Sequence, residues 1–198
     1  MIKKDYKTVL ALNGFRVCGN MNEEALLNII SKSRINRLKK EHIIEKVSYQ
    51  DNHISKSKNQ FTYRLTEHGK KVTREFTHKG NFQCGRGNER HNTALSLEYS
   101  RLDNQEKNSA MNEQDLKEYL SQKELSLLSE NRISEANELL EKMQQISLID
   151  LTYTQTQTQE LCCVEIITKN YSVETINLKE YTAVEIVQAD SYKEININ

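Results

Sequence analysis

Proline and tryptophan are both absent from this 198-residue chain. A core must therefore be built from Leu, Ile, Val, Tyr and Phe, and with hydrophobic residues at 36% there is enough for two modest cores rather than one large one. Cysteine is also scarce. Cys18, Cys84, Cys162 and Cys163 contain no CxxC pair, and the adjacent pair sits in an apolar, strand-like run. That usage fits a reducing cytoplasm, where a buried Cys serves as a small hydrophobe. No apolar run approaches the roughly eighteen residues that a membrane span requires. The first ten residues, MIKKDYKTVL, lack the apolar core and small-residue cleavage site of a secretion signal. The expectation is a soluble, cytoplasmic protein with no membrane partner.

Of only six glycines, three fall in residues 78–90, HKGNFQCGRGNER. No GKS or GKT follows them and no apolar strand precedes them, so they do not form a phosphate-cradling loop. They read as a polar linker and domain boundary. His78, Cys84 and His91 lack CxxC or HxxxH spacing and a fourth ligand, so neither a metal nor another cofactor is expected.

The formal net charge is zero, yet it is unevenly spread. Residues 1–91 hold nineteen Lys+Arg against nine Asp+Glu, a balance of +10, and residues 92–198 hold nine against nineteen, a balance of −10. A basic half suits a polyanionic partner, and an acidic half discourages indiscriminate sticking to it.

The positive charge concentrates around Ser31–Thr66. Upstream, Asp5 caps a helix over Tyr6–Asn13, which Asn13–Gly14 is expected to end, with a strand over Phe15–Cys18. Asn20 and Glu23 have the spacing of a capping box opening a helix over Glu23–Ile30. Ser31 or Ser33 opens a third helix in which Ile35 and Leu38 face inward and Arg34, Asn36, Arg37, Lys40 and Glu41 outward. A β-rich run over Ile43–Tyr49, a polar loop over Asp51–Gln60 and a strand over Phe61–Leu65 make a hairpin with a cationic tip. Thr66 then caps a helix over Glu67–Phe76.

This order, together with Tyr63-Arg64-Leu65-Thr66 and Gly69-Lys70, resembles the winged-helix superfamily of bacterial regulators over residues 5–77. The run ending in Arg90-His91-Asn92 also resembles proteins of the plasmid replication-relaxation type. The resemblance implies double-stranded DNA binding, commonly by a dimer on a palindrome. Arg and Asn read guanine and adenine edges by paired hydrogen bonds, which nominates Arg34, Asn36 and Arg37 for base contact. Lys32, Lys39, Lys40, Lys56, Lys58 and Arg64 are nominated for phosphates.

The second half is expected to carry helices over His91–Leu102, Glu113–Ser129 and Ser134–Ile146, with a loop over Asp103–Met111. Strands are expected over Ile149–Thr154, Leu161–Thr168, Val173–Leu178 and Ala183–Gln188, although Lys179–Ala189 also fits a helix. Asp150, Glu165 and Lys169 suggest a metal-dependent nuclease, but Glu165 and Lys169 would lie about 13 Å apart along a strand, too far to serve one metal-bound water. No catalytic residue is nominated and no enzyme is expected.

The fold class expected is α+β: a winged helix-turn-helix over 1–77, a linker over 78–90, and over 91–198 an acidic domain with a helical segment and a small β-rich α/β portion. The function expected is sequence-specific DNA binding as a homodimer. It would serve transcription regulation, or replication or partition of a plasmid or phage, with the acidic half dimerising or binding a protein. The alternative is a protein-interaction module, or an inhibitor of a nucleic-acid enzyme, built on the same scaffold.

Overall fold

The structure is a computed structural model that describes residues 4–49, 60–83, 89–144 and 149–197. It is α+β, with two three-stranded sheets, and divides into two compact units, Met1–Asn108 and Ser109–Asn198.

The first unit runs α1 (Tyr6–Cys18), β1 (Asn20–Met21), α2 (Glu23–Leu27), α3 (Lys32–Lys40), β2 (Ile44–Tyr49), β3 (Gln60–Leu65), α4 (Glu67–Thr77), α5 (Glu89–Arg101) and α6 (Asn104–Ser109). The sheet is antiparallel in the order β1-β3-β2, with Ile44 opposite Leu65, Tyr49 opposite Gln60 and Met21 opposite Tyr63. Asp5 caps α1 by accepting from Thr8 N, and Thr66 caps α4 by accepting from Gly69 N, both at 3.0 Å.

The expected stop at Asn13–Gly14 does not occur. α1 continues through it and ends at Gly19, whose φ of 76° and ψ of −59° form a positive-φ conformation that glycine, with no Cβ, adopts readily. Asn13 and Gly14 serve packing instead. The Asn13 amide is buried and donates to the Lys107 carbonyl at 2.7 Å. A Cβ on Gly14 would come within 2.7 Å of both Met21 Sδ and the Tyr99 ring. The predicted strand at Phe15–Cys18 is therefore helix. Asn20 lies in β1, and it is Asn22 that caps the shorter α2, accepting from Ala25 N at 2.7 Å.

The boundary between units also lies later than residues 78–90. α5 packs against α1, β1 and α2, so this helix belongs to the basic unit and not to the acidic one. Tyr99 on α5 is fully buried and donates to the Leu10 carbonyl at 2.8 Å. The expected loop at 103–111 contains α6, opened by Asp103, whose side chain accepts from Gln105 N and Glu106 N. The unit up to Asn108 carries twenty-one Lys+Arg against twelve Asp+Glu, +9, and the unit from Ser109 carries seven against sixteen, −9.

The second unit contains α7 (Glu113–Ser129), α8 (Ile133–Met143), β4 (Leu151–Thr154), β5 (Leu161–Thr168), α9 (Val173–Tyr181), a π-helix (Thr182–Val187) and β6 (Ser191–Ile197). Asn112 and Asp115 form a capping box at the start of α7. β5 is central, antiparallel to β4 and parallel to β6. Leu116, Leu120, Leu139, Ile149, Cys163, Ala183, Ile186 and Val187 make its core.

Two predicted strands, Val173–Leu178 and Ala183–Gln188, are α9 and the π-helix. A parallel β5–β6 pair requires a crossover, and these residues supply it. Ser172 opens the crossover by capping Thr175 N at 3.2 Å. β6 itself was not expected, because Lys193-Glu194 interrupts the alternation that marks a strand.

Candidate nucleic-acid interface

α3 follows from its own sequence. Ile35 and Leu38, three apart, are fully buried, while Ser33, Asn36, Arg37 and Lys40 recur at helical spacing on the exposed side. The C-terminal end is held firmly: Glu41 N donates to Arg37 O, His42 N to Lys39 O and Ile43 N to Leu38 O. His42 takes a left-handed φ of 54°, which turns the chain into β2.

The nominated residues do not share one role. Arg34 leaves the outer strip, ion-pairs with Asp5 and donates to Thr8 Oγ1 at 2.8 Å, tying α3 to the N-terminal cap of α1. Its guanidinium and the Thr8 amide hold the Asp5 carboxyl below its usual range, against the opposing effect of burial. Asn36 is exposed. Arg37 is 54% exposed and donates from Nε to Glu41 Oε1 at 3.0 Å, an interaction that lowers the Glu41 pKa.

Among the nominated phosphate contacts, Lys32 pairs with Glu23. Lys39 Nζ sits 5.9 Å from the centre of the Tyr63 ring, Lys40 is exposed, and Arg64 pairs with Glu45 at 2.6 Å. Lys56 and Lys58 lie outside the described residues. Lys46 and Phe61, neither of them nominated, are diagonal neighbours on β2 and β3, where Lys46 is opposite Tyr63 and Phe61 opposite Ser48; the Lys46 ammonium is 3.7 Å from the Phe61 ring centre and Phe61 is 48% exposed. That register puts Lys46 and Phe61 on one face, and strand alternation alone does not give it.

Asp150 and Glu165 are adjacent, but the arrangement is closed rather than open to a substrate. Asp150 N donates to Glu165 Oε2 at 3.1 Å, and Ile166 N donates to Asp150 Oδ2 at 2.9 Å. The lysine at Glu165 is Lys179 of α9, whose Nζ lies 2.7 Å from Glu165 Oε1, and the Tyr171 hydroxyl donates to that Oε1 at 3.2 Å. Asp150, Glu165 and Lys179 are all buried. Burial, reinforced by Asp150 and opposed by Lys179, pushes the Glu165 carboxyl up to about 7. No spacing rule pointed to Lys179, because a crossover helix brings it back over the sheet. Among the described residues no cluster of three or more His, Cys, Asp or Glu is placed to hold a metal ion, and no helix is long and apolar enough to cross a membrane.

No family model, curated protein or solved structure matches the chain.

Proposed function

We propose that the first unit is a winged helix-turn-helix that binds double-stranded DNA in a sequence-dependent way. The observation that carries this reading is the outer strip of α3, Ser33-Asn36-Arg37-Lys40, opposite a buried Ile35–Leu38 face, on a unit of net charge +9. The element order from α1 to α4, with a sheet ordered β1-β3-β2, supports it. A helix of this kind offers side chains to major-groove base edges, and cationic flanks neutralise phosphates. Asn36 and Arg37 read bases. Lys39, Lys40 and Lys46 take phosphates, with Lys32 and Arg64 joining them by exchanging their glutamate partners for DNA. Arg34 positions α3. The acidic unit dimerises the protein or binds a partner, and the whole serves as a transcriptional regulator or a replication or partition factor of a mobile element.

The test is selection of bound duplexes from a random pool, followed by titration against salt. A recovered palindrome with binding that weakens steeply as salt rises supports a dimeric sequence reader. Absence of binding at low salt rejects DNA as the partner.

A further inference from the structure

Glu41, the C-cap residue of α3, places a carboxylate beside Arg37 at the end of the outer strip. It caps the C-terminal end of the helix, where the partial negative charge of the last carbonyls disfavours a carboxylate. The i,i+4 pair it makes runs Arg37 to Glu41, the reverse of the order that the helix dipole favours. Exposed pairs of this kind contribute little to folding. A carboxylate here would also repel a phosphate backbone lying along the same face.

The pair does have one pronounced geometric effect. Glu41 is fixed through its backbone, since the three hydrogen bonds that close α3 and the buried Ile43 hold the turn around it. Its carboxylate grips Arg37 by Nε. Arginine is a long side chain with considerable rotamer freedom, and a grip at Nε fixes the plane of the guanidinium. The edge that carries the two terminal nitrogens is the edge that matches guanine O6 and N7.

We propose that Glu41 is the specificity-determining residue of this face: it orients Arg37 so that the helix selects a guanine at one position of the DNA site. This rests on the DNA-binding reading of α3. Glu41 touches no base itself and acts through Arg37, as a positioning residue. The ligand class is a duplex with a G·C pair at the position facing Arg37.

The experiment compares the full-length protein with Glu41→Gln and Arg37→Lys, using selection from a random duplex pool and then titration of the recovered site and of the same site with that guanine replaced. Wild type is expected to enrich guanine at one position and to prefer it by about ten- to a hundredfold. Glu41→Gln is expected to reduce that preference several-fold at that position only, with affinity for non-cognate duplex equal or higher because a negative charge is gone. Arg37→Lys keeps the charge and should lose the preference as well. A Glu41→Gln protein with the wild-type motif and unchanged preference overturns the proposal while leaving DNA binding intact. A change spread evenly over all positions also overturns it, as does a lowered melting temperature with specificity retained, because either marks a merely structural role. Failure of wild type to bind any duplex overturns the DNA reading and the proposal together.

Discussion

At the scale of single residues, the two arginines of α3 separate by partner. Arg37 is exposed on the outer strip, and Arg37→Ala is expected to cost roughly 1–3 kcal/mol at the cognate duplex and to relax specificity there, measured by titration against matched and mismatched sites. Uniform loss over every sequence would make it a phosphate contact. Arg34 is joined to Asp5 and Thr8. Arg34→Ala should therefore weaken binding to all duplexes alike and lower the free energy of unfolding by less than about 2 kcal/mol, with the selected motif unchanged. Gly69 is the third decisive residue. The first turn of α4 lies directly on the chain entering β2, and a Cβ on Gly69 would overlap the Ile43 carbonyl oxygen. Gly69→Ala is expected to destabilise the first unit by about 1–3 kcal/mol in urea denaturation, because backbone rather than a pliable side chain must yield. Wild-type stability for this variant would show that α4 can shift freely.

At the scale of elements, Glu165 joins four pieces of the second unit: β5 that bears it, the chain entering β4 through Asp150 N, the turn after β5 through Tyr171, and α9 through Lys179. Its folded pKa, pushed up to about 7, lies above the ordinary carboxylate value. The folded state therefore binds a proton more readily than the unfolded one. The resulting stability is present below about pH 4.5 and is lost as pH rises through about 7. Unfolding of the second unit, followed by denaturant titration across this window, is expected to become easier by about 1–3 kcal/mol, and Glu165→Gln should flatten the dependence. A steeper rather than flatter profile in the variant would show that another group carries the effect. The π-helix that follows α9 keeps Ala183, Ile186 and Val187 in the core. Its sequence, TAVEIV, is β-branched enough to suggest a strand, and burial against α7 and α8 residues overrides that preference.

At the scale of the whole molecule, the position of the boundary has a measurable consequence. A fragment ending at residue 90 removes most of α5, with Tyr99 and Leu95, and leaves the buried Asn13 amide without the Lys107 carbonyl. It is expected to lose cooperative unfolding, while a fragment ending at Asn108 keeps it. Circular dichroism melting of the two distinguishes them, and a cooperative 1–90 fragment would restore the earlier boundary. The charge separation, +9 against −9, belongs to the same scale, since it gives the molecule no net charge for long-range attraction while one unit alone remains strongly basic.

What the residues could declare alone was local. The buried spacing of Ile35 and Leu38, the Thr66 and Asn112 caps, the β2–β3 hairpin and the whole of β5 were legible in the sequence, because each is set by periodicity or by a side chain reaching its own next turn. The outer residues Asn36, Arg37 and Lys40 were legible for the same reason. Arg34 was not, because Asp5 lies twenty-nine residues away and only the packing of α3 beside α1 turns it aside. Asn13–Gly14 reads as a stop until Met21 and Tyr99 close over it. Val173–Leu178 reads as a strand but becomes α9, and the unexpected β6 forms, once a parallel strand must return to β5. In each case the deciding partner is distant along the chain, and contacts of that kind carry no local signal, however firmly they override a local preference once the core has formed.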